Sequence, residues 1–451
     1  MHSRMKYVIG ALFFSLLLLA NDATKIHAQT AKKNQPNVVE LFNQAAAKYK
    51  REFINLAGSR GPVNPMILRD VSSESIARVL SIRSNHPYAY GAKYQDNTAV
   101  LFYSYEKGFL QAWLIDKRSI QGYHKQKISK QQINNAIENL RNSLGVDSLS
   151  SIRSPHRRGI KIIPTAINNK LPINRANAQI TNILIPTGIK DKLASVKHLI
   201  VVPVLGIGTV PYAILQPFND DSFLVDKMSI SIAPSLFDLG LTRSSWNPKD
   251  AFSSPLIVGN PYLPKNKSWV VPALPEAEKE VFTVAKMMNA VPLIGKEATR
   301  KTVVSRAEKS SLLYFATHGV ANSSNPLVGG FMMFSADRLE QGWWTAKQIQ
   351  EAKLFRAQIT VLSACQTGLG KVHDAGIIGL ARAFQIAGVP RVVMSLWSVN
   401  DAATSELMQA FVKHLQNNIP AEALRKAMIE TRKTHPAPSQ WSSFVLFGTP
   451  R

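Results

Sequence analysis

Apolar positions along this chain fall into two textures. Over residues 38–56 they recur at Val39, Leu41, Phe42, Ala45, Ala46, Tyr49 and Phe53, which is a helical period. Residues 98–115 read instead as two β-rich runs around Glu106, Lys107 and Gly108, the pattern of a hairpin. Residues 129–144 predict a helix with Ile133, Ala136, Ile137, Leu140 and Leu144 on one face and Ser129 as its N-cap. From about Ile180 onward, short apolar runs alternate with helical patterns. The runs predict strands at 198–204, 255–258, 312–316, 359–363 and 391–396. The intervening patterns predict helices at 275–288, 299–307, 345–352, 376–387 and 402–415, the first opening with Pro275 and the acidic Glu276, Glu278 and Glu280. Apolar strands separated by helices predict an α/β fold, a mostly parallel sheet covered on both faces, with a smaller amino-terminal α+β portion before it.

The first 28 residues have a different logic. His2, Arg4 and Lys6 precede fourteen nearly all-apolar residues, 7–20, and a polar stretch ending at Ala28. Fourteen residues fall short of the roughly 18–20 that span a bilayer, so the segment predicts a signal peptide cleaved near Ala28 and an exported protein. The alternative is a membrane anchor through residues 7–20.

Composition narrows the function. Of 451 residues, 45% are hydrophobic, which excludes a disordered tail protein, and the length allows two or three domains. The net charge of +25 favours association with polyanions. The stretch from Lys117 to Arg175 holds twelve Lys and Arg against two acidic residues, Glu138 and Asp147. It is a candidate surface for an acidic polymer or membrane headgroups, and an exposed Ser-Pro-His-Arg-Arg at 154–158 is a candidate processing site. The bland reading is a solvated surface. A single cysteine builds neither an intramolecular disulfide nor a Cys-rich metal site.

The familiar catalytic signatures are missing. The sequence has no phosphate-binding Gly-x-x-x-x-Gly-Lys-Ser/Thr loop, no His-Glu-x-x-His and no Gly-x-Ser-x-Gly. Gly206 and Gly208 follow a strand, but Pro211 stands at the third position of the dinucleotide fingerprint. No aromatic pattern of an RNA-binding module occurs, so no specific nucleic-acid partner is expected, and neither a metal nor an organic cofactor is called for.

What remains is Thr317-His318-Gly319 after the run at 312–316, and Ser363-Ala364-Cys365-Gln366-Thr367-Gly368 at the end of the run at 359–363. Residues just past the carboxyl ends of parallel strands collect in one crevice. Forty-seven positions separate His318 from Cys365, enough for a crossover between neighbouring strands that would set them side by side. A thiol needs such a neighbour: the imidazole accepts its proton, stabilises the thiolate and later protonates an amine leaving group. The backbone N–H groups of Gly319 and Cys365 suit a developing oxyanion. Taken singly, a cysteine after a buried strand is usually a small core residue and a histidine near a turn is usually only polar.

These residues resemble the CHAT domain, a caspase-like module of the cysteine peptidase group that includes caspases, gingipains and separases. The landmarks run in order through Leu199-Ile-Val-Val-Pro203, Val258-Gly-Asn-Pro261, Gly295-Lys-Glu-Ala-Thr299, Phe315-Ala-Thr-His-Gly319, Leu362-Ser-Ala-Cys-Gln-Thr-Gly368 and the stretch from Ala387 to Asp401. The resemblance covers roughly residues 180–451, and the hairpin at 98–115 resembles the module's amino-terminal part. It implies a caspase-like fold with His318 as catalytic histidine and Cys365 as nucleophile. It also implies Asp401 as an acidic substrate-binding group for a basic side chain on the acyl side of the cleaved bond. The competing role for Asp401 is as a cap for the helix at 402. Val204 and Gln366 stand where the family often has acidic residues, and the tetratricopeptide repeats often joined to such modules are not seen.

The expected organisation is a signal peptide at 1–28, a linker and helix at 29–75, an amino-terminal part with the basic insertion at 76–175, and the CHAT-like domain at 176–451. The expected function is an exported caspase-like cysteine endopeptidase acting on polypeptides. The alternative is a non-catalytic CHAT-like scaffold that docks through the Lys117 to Arg175 region.

Overall fold

The structure is a computed structural model. It describes residues 37–448 except 59–70, 82–96, 147–170, 234, 237–238, 240–245, 265–273, 321–329, 364–370, 374–375 and 398–400. The segment read as a signal peptide, the 154–158 motif and Cys365 lie outside the described residues.

Helices α1 (Val38–Gly58) and α2 (Ser73–Ser81) come first, then strands β1 (Thr98–Glu106), β2 (Phe109–Ile115) and β3 (Ile120–Lys127). Lys107 and Gly108 both have positive φ, 47° and 82°, as a two-residue turn between right-twisted strands requires. Helix α3 (Lys130–Leu144) is closed by the expected Ser129 cap, reinforced by Gln132 in a capping box. After α4 (Ile173–Leu184) come β4 (His198–Val202), β5 (Ser229–Ile232), β6 (Pro255–Pro261), α5 (Pro275–Met287), β7 (Leu293–Gly295) and α6 (Arg300–Ala307). Then follow β8 (Leu312–Ala316), β9 (Gly319–Val320), β10 (Phe331–Met333), β11 (Trp343–Thr345), α7 (Ala346–Glu351) and β12 (Ile359–Leu362). The chain continues with β13 (Lys371–His373), β14 (Gly376–Ile378), α8 (Leu380–Ile386), β15 (Arg391–Ser395), α9 (Asp401–Leu415), α10 (Pro420–Thr431) and β16 (Phe444–Gly448).

Eleven of these strands form one sheet in the order β3-β2-β1-β4-β5-β16-β15-β12-β8-β6-β7. Its pairings are parallel except at β3–β2, β2–β1 and β15–β16. The expected α/β class, a mostly parallel sheet flanked by helices, is therefore what the chain adopts. The amino-terminal hairpin is continuous with that sheet, because β1 runs parallel to β4 with Val100 opposite Ile200. Alternation along β8 separates two covering layers. Tyr314 meets Glu280 of α5 on one face, while Phe315 packs on Phe334, Trp344 and Phe384 on the other. Strands β8, β12 and β15 are wholly buried, each large apolar side chain contributing about 1.5–3 kcal/mol by leaving water. At the amino-terminal end, Phe42 and Tyr49 of α1 pack edge-on against Phe102, and Phe42 also against Trp113.

One expected element is corrected. Residues 376–387 do not form a single helix: Gly376–Ile378 pairs with Lys371–His373 as a hairpin strand, and the helix starts at Leu380. The β-branched pair Ile377 and Ile378 next to a glycine is better suited to a strand than to the first turn of a helix.

Candidate active site

The order of strands locates a crevice. From β6 the chain steps outward to β7, then returns past β6 to β8 and proceeds through β12 to β15 in the opposite direction. This reversal at β6 and β8 is a topological switch point, where open α/β sheets gather their functional groups beyond the carboxyl ends of the strands. Residues 317–319 leave β8 at that point.

The backbone there is pinned by β10. The Met333 N–H donates to the His318 carbonyl at 2.9 Å, and the Thr317 hydroxyl donates to the Met333 carbonyl at 2.6 Å. Thr317 is buried, whereas the His318 ring is only partly covered. Gly319 lies opposite Met332. Because His318 and Met333 form a hydrogen-bonded pair of the antiparallel ladder, Gly319 and Met332 form the next, non-hydrogen-bonded pair, and the Gly319 N–H faces away from β10. That N–H is therefore not spent on the β10 ladder.

Strand β12 is the immediate neighbour of β8, with Leu362 opposite Phe315 in parallel register. His318 follows Phe315 by three positions, and Cys365 follows Leu362 by three. Ser363 is the last described residue before the segment that carries the thiol. Asp401 is the first residue of α9, one position earlier than the sequence pattern suggested, and its side chain is outside the described residues.

Near the end of β6, Asn260 takes a positive φ of 38° and its side chain joins two pieces of chain. Its amide donates to Glu278 at 2.7 Å and its carbonyl accepts from the Leu274 N–H at 2.9 Å. The Gly-Asn-Pro landmark thus fastens α5 to the end of β6, a structural task that its sequence does not announce. Thr317 was missed as a clamp for His318; its only sequence signal is a hydroxyl at the end of an apolar strand. No group of three or more His, Cys, Asp or Glu that could hold a metal occurs among the described residues.

A family model for the CHAT domain matches residues 174–449, more than half of the chain. The chain belongs to the CHAT domain family. Tetratricopeptide repeat protein 28 of Homo sapiens is 28% identical to it over 283 residues, covering 53% of this chain and 11% of that protein. The Mus musculus protein of the same name is 26% identical over 282 residues, covering 53% of this chain and 12% of its own length. The chain therefore spans only a small part of the curated relatives it matches. Among solved structures, the Saccharomyces cerevisiae separase–securin complex aligns with a TM-score of 0.47 at 14% identity, over 78% of this chain and 30% of that one. The Arg-specific cysteine proteinase gingipain R aligns with a TM-score of 0.41 at 11% identity, over 71% of this chain and 74% of that one. The strands that carry the CHAT landmarks, β4, β6, β8, β12 and β15, all lie in the large sheet.

Proposed function

We propose that this CHAT protein is an exported cysteine endopeptidase that hydrolyses polypeptides through Cys365 and His318. The observation that carries the reading is the parallel register of Phe315 with Leu362, which gives the two residues equal offsets from paired positions on adjacent strands. In this reading His318 takes the thiol proton and the thiolate of Cys365 attacks the peptide carbonyl. The N–H groups of Gly319 and Cys365 stabilise the oxyanion, and His318 returns the proton to the departing amine. Water, with His318 as base, then hydrolyses the thioester and frees the thiol. Asp401 receives a basic side chain on the acyl side of the cleaved bond. The exposed Lys125 and Lys127 on edge strand β3 give the basic region a cationic rim for an acidic partner.

The test is covalent labelling by a peptidyl acyloxymethyl ketone bearing Arg or Lys next to the warhead. Wild type is expected to be labelled at Cys365, and His318→Ala to lose labelling while keeping a wild-type melting curve. Equal labelling of His318→Ala would overturn the dyad.

A further inference from the structure

The three-stranded sheet β9-β10-β11 has two unlike faces. Its register sets Gly319 opposite Met332 and Met332 opposite Trp344, while Val320 stands opposite Phe331 and Met333 opposite Trp343. Directly opposed residues point to the same face of a sheet, and successive residues to opposite faces. Met332 and Trp344 therefore share one face, and both are buried in the main core. Val320, Phe331, Met333 and Trp343 share the other, where they form a separate apolar cluster with Leu339 and Leu263. Phe331 and Trp343 stack there with ring centroids 4.2 Å apart and planes at 17°. Phe331, Met333 and Leu339 are buried, but Val320, Trp343 and Leu263 are only partly covered, so the cluster ends in an accessible apolar surface.

His318 belongs to that same face. It precedes β9 by one residue and its carbonyl accepts from the Met333 N–H at 2.9 Å, so the ladder and its alternation extend to it, two positions from Val320. The order of strands gives the surface its direction. Asp401 follows β15, Cys365 follows β12, His318 follows β8 and Leu263 follows β6, and these four strands are neighbours in that order. A peptide with its acyl-side group at Asp401 and its carbonyl at Cys365 therefore sends its departing half over His318, the group that must protonate the departing amine, and on toward Val320 and Leu263. Two positions of a strand are about 6.6 Å, the reach of the first two residues of an extended peptide. We propose that Val320, Trp343 and Leu263 form a subsite for an apolar side chain on the first or second residue after the cleaved bond. This rests on the peptidase reading above and gives it a substrate class, a basic residue followed within two positions by an apolar one.

The test uses the full chain and internally quenched peptides that carry Arg before the cleaved bond, with Leu, Ser or Asp at one of the two positions after it and Gly at the other. The quantity read is the ratio of kcat/KM for Leu over Ser, which does not depend on how much of a preparation is folded. Wild type is expected to give a ratio of about ten at one of the two positions. Val320→Thr keeps the shape of the side chain and puts a hydroxyl on the surface, and Leu263→Ser removes apolar area from its rim. Each is expected to lower the ratio about threefold. A wild-type ratio near one at both positions, or a ratio that both variants leave unchanged, would overturn the subsite and leave the dyad standing. A preference for Asp would do the same, and would assign recognition to the exposed Lys296 beside Tyr262. No cleavage by wild type, or cleavage by His318→Ala at the wild-type rate, would overturn the peptidase reading and this proposal with it.

Discussion

The Thr317 hydroxyl and the Met333 carbonyl, 2.6 Å apart, join the residue before the candidate catalytic histidine to the middle of a short three-stranded sheet. With the Met333 N–H bonded back to the His318 carbonyl, this clamp fixes the backbone at the point where the chain leaves the core. Thr317→Val keeps the shape but leaves a buried carbonyl without its donor, at a cost of about 1–3 kcal/mol. Thr317→Ser restores the donor and is expected to recover most of that loss in urea denaturation. A Val variant as stable as wild type would remove the clamp from the account.

Gly259 on β6 lies where a side chain would collide with α5. A Cβ there would stand 2.5 Å and 2.6 Å from the two methyl carbons of the buried Val281. Gly259→Ala is therefore expected to destabilise the fold by about 1–3 kcal/mol through overpacking. In a Val281→Ala background the same change should cost less, and a double-mutant cycle reads the difference. Simple additivity would mean that the close approach of strand and helix is not the cause.

Glu430 on α10 meets two side chains of α9, His414 at Nε2 at 2.7 Å and Lys413 at Nζ at 3.1 Å. Partial burial pushes its carboxyl up, but the bonds from His414 and Lys413 outweigh this and hold it below the ordinary value. A depressed carboxylate stabilises the fold above its unfolded pKa, near about 4.3, and that stabilisation is lost as pH falls through the lower folded value. The side chain is 40% exposed, so screening keeps the effect below about 1 kcal/mol. Glu430→Gln is expected to be slightly less stable than wild type at neutral pH and to converge with it in acid. A gap that widens on acidification would contradict this.

The sheet was largely legible because its central strands are continuous apolar runs, buried on both faces. Strands that lack such runs were not. The β5 sequence Ser-Ile-Ser-Ile is half polar, and its two serines face His198, which bonds Ser229 at 2.8 Å and Ser231 at 3.1 Å. Edge strand β3, Ile-Gln-Gly-Tyr-His-Lys-Gln-Lys, is too polar to stand out, although Tyr123 and Lys125 pack over Trp113 and Phe109. Nor does any local pattern announce that β16, near the carboxyl end, enters the middle of the sheet between β5 and β15. At the site, His318 and Gly319 were visible as polar and flexible residues just past an apolar strand. Glu280, grouped by sequence with the acidic residues at the start of its helix, is instead buried on the apolar stripe, where it accepts from the Tyr314 hydroxyl. Tyr314 carried no signal, since a tyrosine in a strand is ordinary until its hydroxyl finds a buried partner.

In the proposed reaction Cys365 is a nucleophile activated by His318. The most direct test is cleavage of a peptide library by the full chain, read by mass spectrometry, with Cys365→Ala and His318→Ala alongside. Wild type is expected to produce new termini, concentrated after Arg and Lys, and both variants to produce none while melting as wild type does. Equal cleavage by wild type and Cys365→Ala would contradict it.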